Sequence, residues 1–330
     1  MSVDPDNDYP QRPNRRLALQ TAASIAAVPL MSSVAEAATL AFAPSCFDVN
    51  EDRALIWLCA NEAARLHVRW GTAADALTHR SAERALDASC DFTGHVALRG
   101  LPLGETVHYR VFSRDTPASG LCRFSTPRKA RQNFSLAFSG DMQETYKPFR
   151  IFDVIAAAKP DYFVHLGDTV YADSPKRDST PTERHYRMKH ARIRADRPLQ
   201  AFMSQHANFA IWDDHEIEND AHGGLPQLPI AEAVFREYWP CASVETTGLY
   251  RAMALSPAVD LIIVDTRRFR SVQGMNDGPE KTMLGTQQKK WFLDALKRSN
   301  PKELLLRPLS MPAGFLVGMI HREYLHLQFC

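Results

Sequence analysis

The sequence predicts an α/β domain preceded by a small all-β domain. Three observations carry that expectation. From residue 133 onward, short apolar strands alternate with helix-period segments, the pattern of a layered α/β fold. From 38 to 130, apolar residues recur at period two between turns, and no helical stretch of useful length interrupts them. Three successive strands after 133 run into acidic turns. The composition agrees: 45% hydrophobic and 23% charged residues exclude a disordered, collagen-like or coiled-coil chain. With 39 Lys and Arg against 38 Asp and Glu, there is no basic field to hold a phosphate backbone. A nucleic-acid partner is therefore not expected.

The first 37 residues read as an export signal. Asn14-Arg15-Arg16-Leu17-Ala18-Leu19-Gln20 is followed by a weakly apolar stretch from Thr21 to Val34, then by Ala35-Glu36-Ala37, a cleavage site of small residues. The paired arginines resemble a twin-arginine signal, so the twin-arginine export machinery is an expected partner. The expected location is periplasmic or extracellular. No other apolar run approaches the ~20 residues that span a bilayer. Cysteines at 46, 59, 90, 122, 241 and 330 show no C-x-x-C spacing, so a structural zinc site is not expected. Buried thiols and disulfides both remain open for them.

In the β segment, Leu55 to Cys59 is one continuous apolar run. Leu66, Val68 and Trp70 alternate with His67 and Arg69, and Val107, Tyr109 and Val111 alternate likewise. Leu101 to Tyr109 resembles the turn and tyrosine-corner region of fibronectin-type sandwiches. A separate β-sandwich over 38–130 is expected, with Arg128-Lys129-Ala130-Arg131-Gln132 as a linker.

Between 133 and 300 the expected order is as follows. A strand, Phe134 to Phe138, ends at Ser139-Gly140-Asp141. A helix then turns Phe149, Phe152 and Ile155 inward. A second strand, Tyr162 to Leu166, ends at Gly167-Asp168. Helical sequence around Tyr186, Met188, Leu199, Phe202 and Met203 leads to a third strand, Phe209 to Trp212, which runs into Asp213-Asp214-His215-Glu216. A helix with Ala233, Val234, Tyr238 and Trp239 inward precedes a fourth strand, Val259 to Val264, ending at Asp265. Leu284 to Leu296 closes the pattern as a helix. In open α/β sheets ligands gather beyond the carboxyl ends of strands. If these strands are neighbours, Asp141, Asp168, Asp214 and His215 converge there. Carboxylates so gathered repel one another unless a hard cation compensates them.

At these residues the chain resembles the metallophosphoesterases, and within them the alkaline phosphatase D (PhoD-like) family. The resemblance rests on Phe138-Ser139-Gly140-Asp141-Met142-Gln143, His165-Leu166-Gly167-Asp168-Thr169-Val170-Tyr171 and Trp212-Asp213-Asp214-His215-Glu216, with Val264-Asp265-Thr266-Arg267 and Leu284-Gly285-Thr286-Gln287-Gln288 behind them. It implies a four-layer sandwich and a dinuclear metal centre. The metals would be iron and calcium, with manganese, zinc and magnesium as the other candidates. Asp168 would bridge the two metals, and Asp141, Tyr171 and Asp214 would be further ligands. His215 and Arg267 would be the catalytic contacts to the phosphoryl group, with His185 and Arg187 as further cationic candidates. The implied activity is that of an exported metal-dependent phosphatase or phosphodiesterase acting on a small phosphate ester through a metal-activated hydroxide.

Two departures stand out. Asp141 takes a position where many members carry a Cys. After Asn300 no further strand and no Gly-Asp-x-His element is expected, which makes 301–330 an atypical tail and leaves the sandwich incomplete. His321 and His326 are not expected to be ligands. The alternative expectation is an inactive or weakly metal-binding remnant lacking the C-terminal half-site.

Overall fold

The computed structural model describes residues 38–299, apart from 131–132, 177–178 and 243–247, together with the backbone of 303–307. The export signal, His321 and His326 lie outside the described residues.

The principal sheet is mixed. Its α/β strands are β10 (Leu136–Ser139), β11 (Tyr162–His165) and β12 (Ala207–Ala210), parallel neighbours in that order. It continues through β1 (Ser45–Phe47), β2 (Arg53–Cys59) and β6 (Thr93–Arg99), all from the N-terminal segment. The expected separate sandwich is therefore corrected. Three of its nine strands extend the α/β sheet, because β12 is buried along its length and its second edge needs backbone partners. β1 supplies them in parallel, pairing Cys46 with Ala207 and Phe47 with Asn208. The Asn208 side chain adds a bond from Nδ2 to the Cys46 carbonyl (3.1 Å).

The other N-terminal strands form a second sheet. β3 (Ala64–Gly71) pairs with β4 (His79–Arg80), β5 (Arg84–Leu86) and β7 (Thr106–Ser113). β7 in turn carries β8 (Thr116–Pro117) and β9 (Cys122–Ser125). β7 keeps the expected alternation, but β3 does not, since His67 is buried with its ring stacked on Phe112. No local tyrosine corner forms: the Tyr109 hydroxyl donates to the carbonyl of Pro44, a distant segment (3.4 Å). The expected linker is also tied down. The Arg128 amide donates to Leu255 (2.8 Å) and its guanidinium pairs with Asp161 (2.6 Å). The five described cysteines are free thiols, and four of them are buried.

Among the described residues, five α-helices accompany these sheets. α1 (Ile151–Ala157) buries Phe152 and Ile155. The expected long helical region is two helices, α2 (Glu183–Arg194), capped by Thr182, and α3 (Arg197–Met203), capped by Asp196. α4 (Leu228–Tyr238) buries Val234, Phe235 and Tyr238, while Ala233 faces outward. α5 (Gly285–Arg298) lies against Ile262 and Val264 through Trp291, Phe292 and Leu296.

The third sheet holds β13 (Arg251–Ser256), β14 (Val259–Ile263) and β15 (Glu303–Arg307). The fourth expected strand thus belongs to a different sheet from the first three. β13 escaped the sequence reading because its polar ends mask a hairpin partner of β14. β15 corrects the expectation of no strand after Asn300: Glu303–Arg307 pairs in parallel with β14 over five residues.

Candidate metal and catalytic site

Parallel register brings the three strand ends to one level. Ser139 pairs with His165, and His165 with Ala210. Each strand then breaks into a tight turn. Asp141 and Asp168 both adopt left-handed backbone (φ 60° and 50°), a conformation that costs a non-glycine residue energy and is concentrated at functional sites. Gly167 (φ 95°) makes the closest approach: a Cβ there would lie 2.6 Å from the Asp213 amide nitrogen. Backbone bonds lace the turns together, from Asp141 N to Gly167 O (3.3 Å) and from Met142 N to Asp168 O (2.8 Å).

Glu216 lies buried beneath the turns. Its Oε1 accepts from the Thr169 amide (2.6 Å) and hydroxyl (2.7 Å), and its Oε2 from the amides of Asp213 (2.9 Å) and Asp168 (3.2 Å). One carboxylate therefore fastens the β11 turn to the β12 turn. Burial pushes its carboxyl up to about 7, against the pull of those donors.

Above it, the ligand atoms of Asp168, Asp214 and His215 lie within 4.8 Å of one another. Asp168 Oδ1 accepts from the His215 amide (3.3 Å), and Asp214 Oδ2 from the Asp220 amide (2.6 Å). The Tyr171 ring stacks on His215 (4.2 Å between centroids), and its hydroxyl donates to Asp141 Oδ1 (2.9 Å). All five acidic, histidine and tyrosine residues expected at the site thus adjoin one another. His215 joins Asp168 and Asp214 as a potential donor, whereas Asp141 enters through Tyr171.

The electrostatics follow from crowding. Burial, then the charges of Glu216 and Asp213, push the Asp168 carboxyl up to about 8. Burial and the carboxylates of Asp168 and Asp141 hold the Tyr171 hydroxyl well above its usual range. His215 goes the other way from a simple buried imidazole. Burial alone would lower it, but Nδ1 bonded to both oxygens of Asp173 (2.9 Å each), with Asp168 and Asp214 nearby, lifts it to about 9.

Comparison with known proteins fits this geometry. Residues 134–306, just over half of the chain, match the model of the PhoD-like phosphatases. The chain belongs to the PhoD-like phosphatase family. It is similar to alkaline phosphatase D of Bacillus subtilis (strain 168), 24% identical over a 246-residue alignment, with 62% of this chain and 42% of that protein covered. It shares the fold of a solved structure of PhoD with a TM-score of 0.68 and 21% identity, over 78% of this chain and 59% of that one. The chain thus spans well under two thirds of either relative's length.

Within this PhoD-like site, Arg267 has ion-pair partners that the sequence did not show, and two further cationic candidates need correction. Arg267 is buried, and its guanidinium is engaged by Asp213 Oδ1 (Nε, 2.6 Å) and Asp214 Oδ1 (Nη2, 3.4 Å). It pairs with carboxylates beside the site, Asp214 among them. His185 is buried with Nε2 on the Ala172 carbonyl (2.7 Å), and Arg187 is paired with Glu237 (2.6 Å). Neither is presented to the site. Three residues that shape it had no sequence role: Glu216, Asp213 and Asp173. Asp173 was hidden because it lies two residues beyond Tyr171, in a turn that reads as ordinary loop. Glu216 stood inside the Trp-Asp-Asp-His-Glu stretch, where only its burial distinguishes a clamp from a ligand.

Proposed function

We propose that this chain is an exported, metal-dependent phosphoric ester hydrolase acting on small phosphate monoesters or diesters. The observation that carries the reading is the convergence of Asp168, Asp214 and His215 donor atoms within 4.8 Å at the carboxyl edge of parallel strands. The donor set suits a hard cation: oxygen ligands dominate, and burial followed by the neighbouring Glu216 and Asp213 carboxylates makes ionised Asp168 costly without a cation beside it. Asp168, Asp214 and Asp141 would hold a dinuclear centre, with Asp168 between the metals and Tyr171 as a phenolate ligand. Iron and calcium are the first candidates, followed by manganese, zinc and magnesium. When bound, such metals polarise a phosphoryl oxygen and acidify a water at neutral pH.

The protein's own groups supply the rest. Asp173 fixes the His215 ring through Nδ1, which leaves Nε2 as the nitrogen that meets substrate. The Asp173 carboxylate on Nδ1 favours the protonated imidazole, the form suited to donation to the leaving oxygen. Tyr171 fixes the ring's face by stacking. The approach of Asp141, Tyr171, Asp168, Asp214 and His215 supports an enzyme over a non-catalytic remnant. The order of paired arginines, apolar stretch and Ala35-Glu36-Ala37 supports export through the twin-arginine machinery, with periplasmic or extracellular residence.

The test is hydrolysis of p-nitrophenyl phosphate and bis-p-nitrophenyl phosphate by the purified chain loaded with each candidate metal. Activity is expected to vanish with a chelator and to fall at least about a thousandfold in Asp168→Ala, the scale of losing an electrostatic contributor to the transition state. Undiminished hydrolysis by Asp168→Ala would sink the site assignment.

A further inference from the structure

Leu284-Gly285-Thr286-Gln287-Gln288 has no role in the proposed chemistry, yet the fold gives Gln288 a specific task. The side chain is fully buried near the start of α5, and both ends of its amide are used on one residue. Oε1 accepts from the Asp265 amide (2.7 Å) and Nε2 donates to the Asp265 carbonyl (2.7 Å). Gly285 (φ 67°) allows the helix to start this close: a Cβ there would lie 3.0 Å from the Phe269 Cβ.

Asp265, held by its backbone, extends its carboxylate in the opposite sense. Oδ1 accepts from Trp212 Nε1 (2.9 Å) and from the amides of Arg267 (3.1 Å) and Arg268 (2.9 Å), and Oδ2 from the Leu249 amide (3.1 Å). Trp212 immediately precedes Asp213 and Asp214, while Arg267 carries the guanidinium engaged by both. A continuous set of bonds therefore runs from α5 and the third sheet to the carboxylates at the end of β12.

We propose that Gln288 is a positioning residue that, through Asp265, sets the Arg267 guanidinium against Asp213 and Asp214 and thereby presents Asp214 to a bound metal. The proposal rests on the metal-site reading above. An apolar side chain of the same size at 288 fills the space but leaves the Asp265 amide and carbonyl without partners, and the turn bearing Arg267 relaxes to satisfy them. Loss of such supporting contacts costs a metal site on the order of 10- to 100-fold in affinity.

The experiment is a double-mutant cycle of Gln288→Met and Arg267→Met, read as Mn²⁺ affinity by calorimetry on the full chain, with melting of the metal-free proteins alongside. Gln288→Met alone is expected to weaken Mn²⁺ binding about tenfold. In the Arg267→Met background it is expected to have no further effect, because the residue through which it acts is gone. Additive losses, or unchanged Mn²⁺ affinity in a destabilised Gln288→Met protein, overturn the proposal and leave the metal-site reading intact. If Gln288→Met does not fold, Gln288→Asn replaces it in the same cycle, since it keeps the amide but is one methylene too short to hold both the Asp265 amide and carbonyl. A parent chain that takes up no Mn²⁺ overturns the metal-site reading, and the proposal with it.

Discussion

Asp168 occupies a position whose charge its surroundings resist. Its carboxyl is raised to about 8, Glu216 beneath it to about 7, and His215 beside it to about 9. In an unfolded chain these groups titrate near 4 for the acids and near 6.5 for the imidazole. The metal-free native state therefore holds protons that the unfolded chain has already released. Stability is present in full below the unfolded values and is lost as pH rises through about 7 to 9, the folded values. The metal-free protein is accordingly expected to melt at lower temperature at pH 8.5 than at pH 6. Asp168→Asn, which removes the strained charge, should raise the melting temperature at pH 8.5 while abolishing metal uptake. Calorimetry at the two pH values checks both, and a melting temperature that climbs with pH would contradict the charge assignment. The pattern is a trade of stability for a site ready to accept a cation.

Among the elements, α2 does more than cover the sheet. His185 and Lys189, four residues apart and so on one face, both reach the turn after Tyr171. His185 meets the Ala172 carbonyl (2.7 Å), and Lys189 donates to the Ser174 carbonyl and pairs with Glu144 Oε1 (2.9 Å). Glu144 follows Asp141, so one helix face steadies the two loops that carry Asp141 and Asp173. Lys189→Met is expected to destabilise the protein by about 1–3 kcal/mol, the cost of leaving buried polar partners unmade. It should also weaken metal binding, whereas a substitution at an exposed position such as Arg197→Met should do neither. Urea unfolding and Mn²⁺ titration measure the two effects. This role was not legible beforehand: the helix pattern around Tyr186 and Met188 was, but a buried Lys in a helix shows its partner only once the loops are folded over it.

Over the whole molecule, the N-terminal strands are structural parts of the α/β layer. Asp48, just past β1, is fully buried and makes a two-pronged pair with Arg251 at the start of β13 (2.6 and 2.8 Å). Arg251 also donates to the Ala210 carbonyl, the last residue of β12 before the site turn (2.7 Å). Asp48→Ala leaves that guanidinium buried without its counter-charge and is expected to cost about 3–5 kcal/mol. The loss should show as a shifted midpoint in denaturant unfolding observed by all probes together. Separate transitions for the N-terminal and α/β segments would argue against one continuous sheet.

That β10, β11 and β12 are neighbours came from the structure, whereas the sequence by itself determined the α/β alternation and set Asp141, Asp168, Asp214 and His215 at strand ends, with Tyr171 added by the family resemblance. Those features are local: period, strand-end acids and turn residues are written within a few positions of one another. Only the tertiary structure decided that β1 closes the β12 edge, that β15 follows β14, that Arg267 pairs with Asp213 and Asp214, and that Glu216, Asp173 and Gln288 serve the site. Each of these depends on which unsatisfied backbone edge or buried charge lies opposite, and partners tens to hundreds of residues apart are set by packing rather than by local sequence.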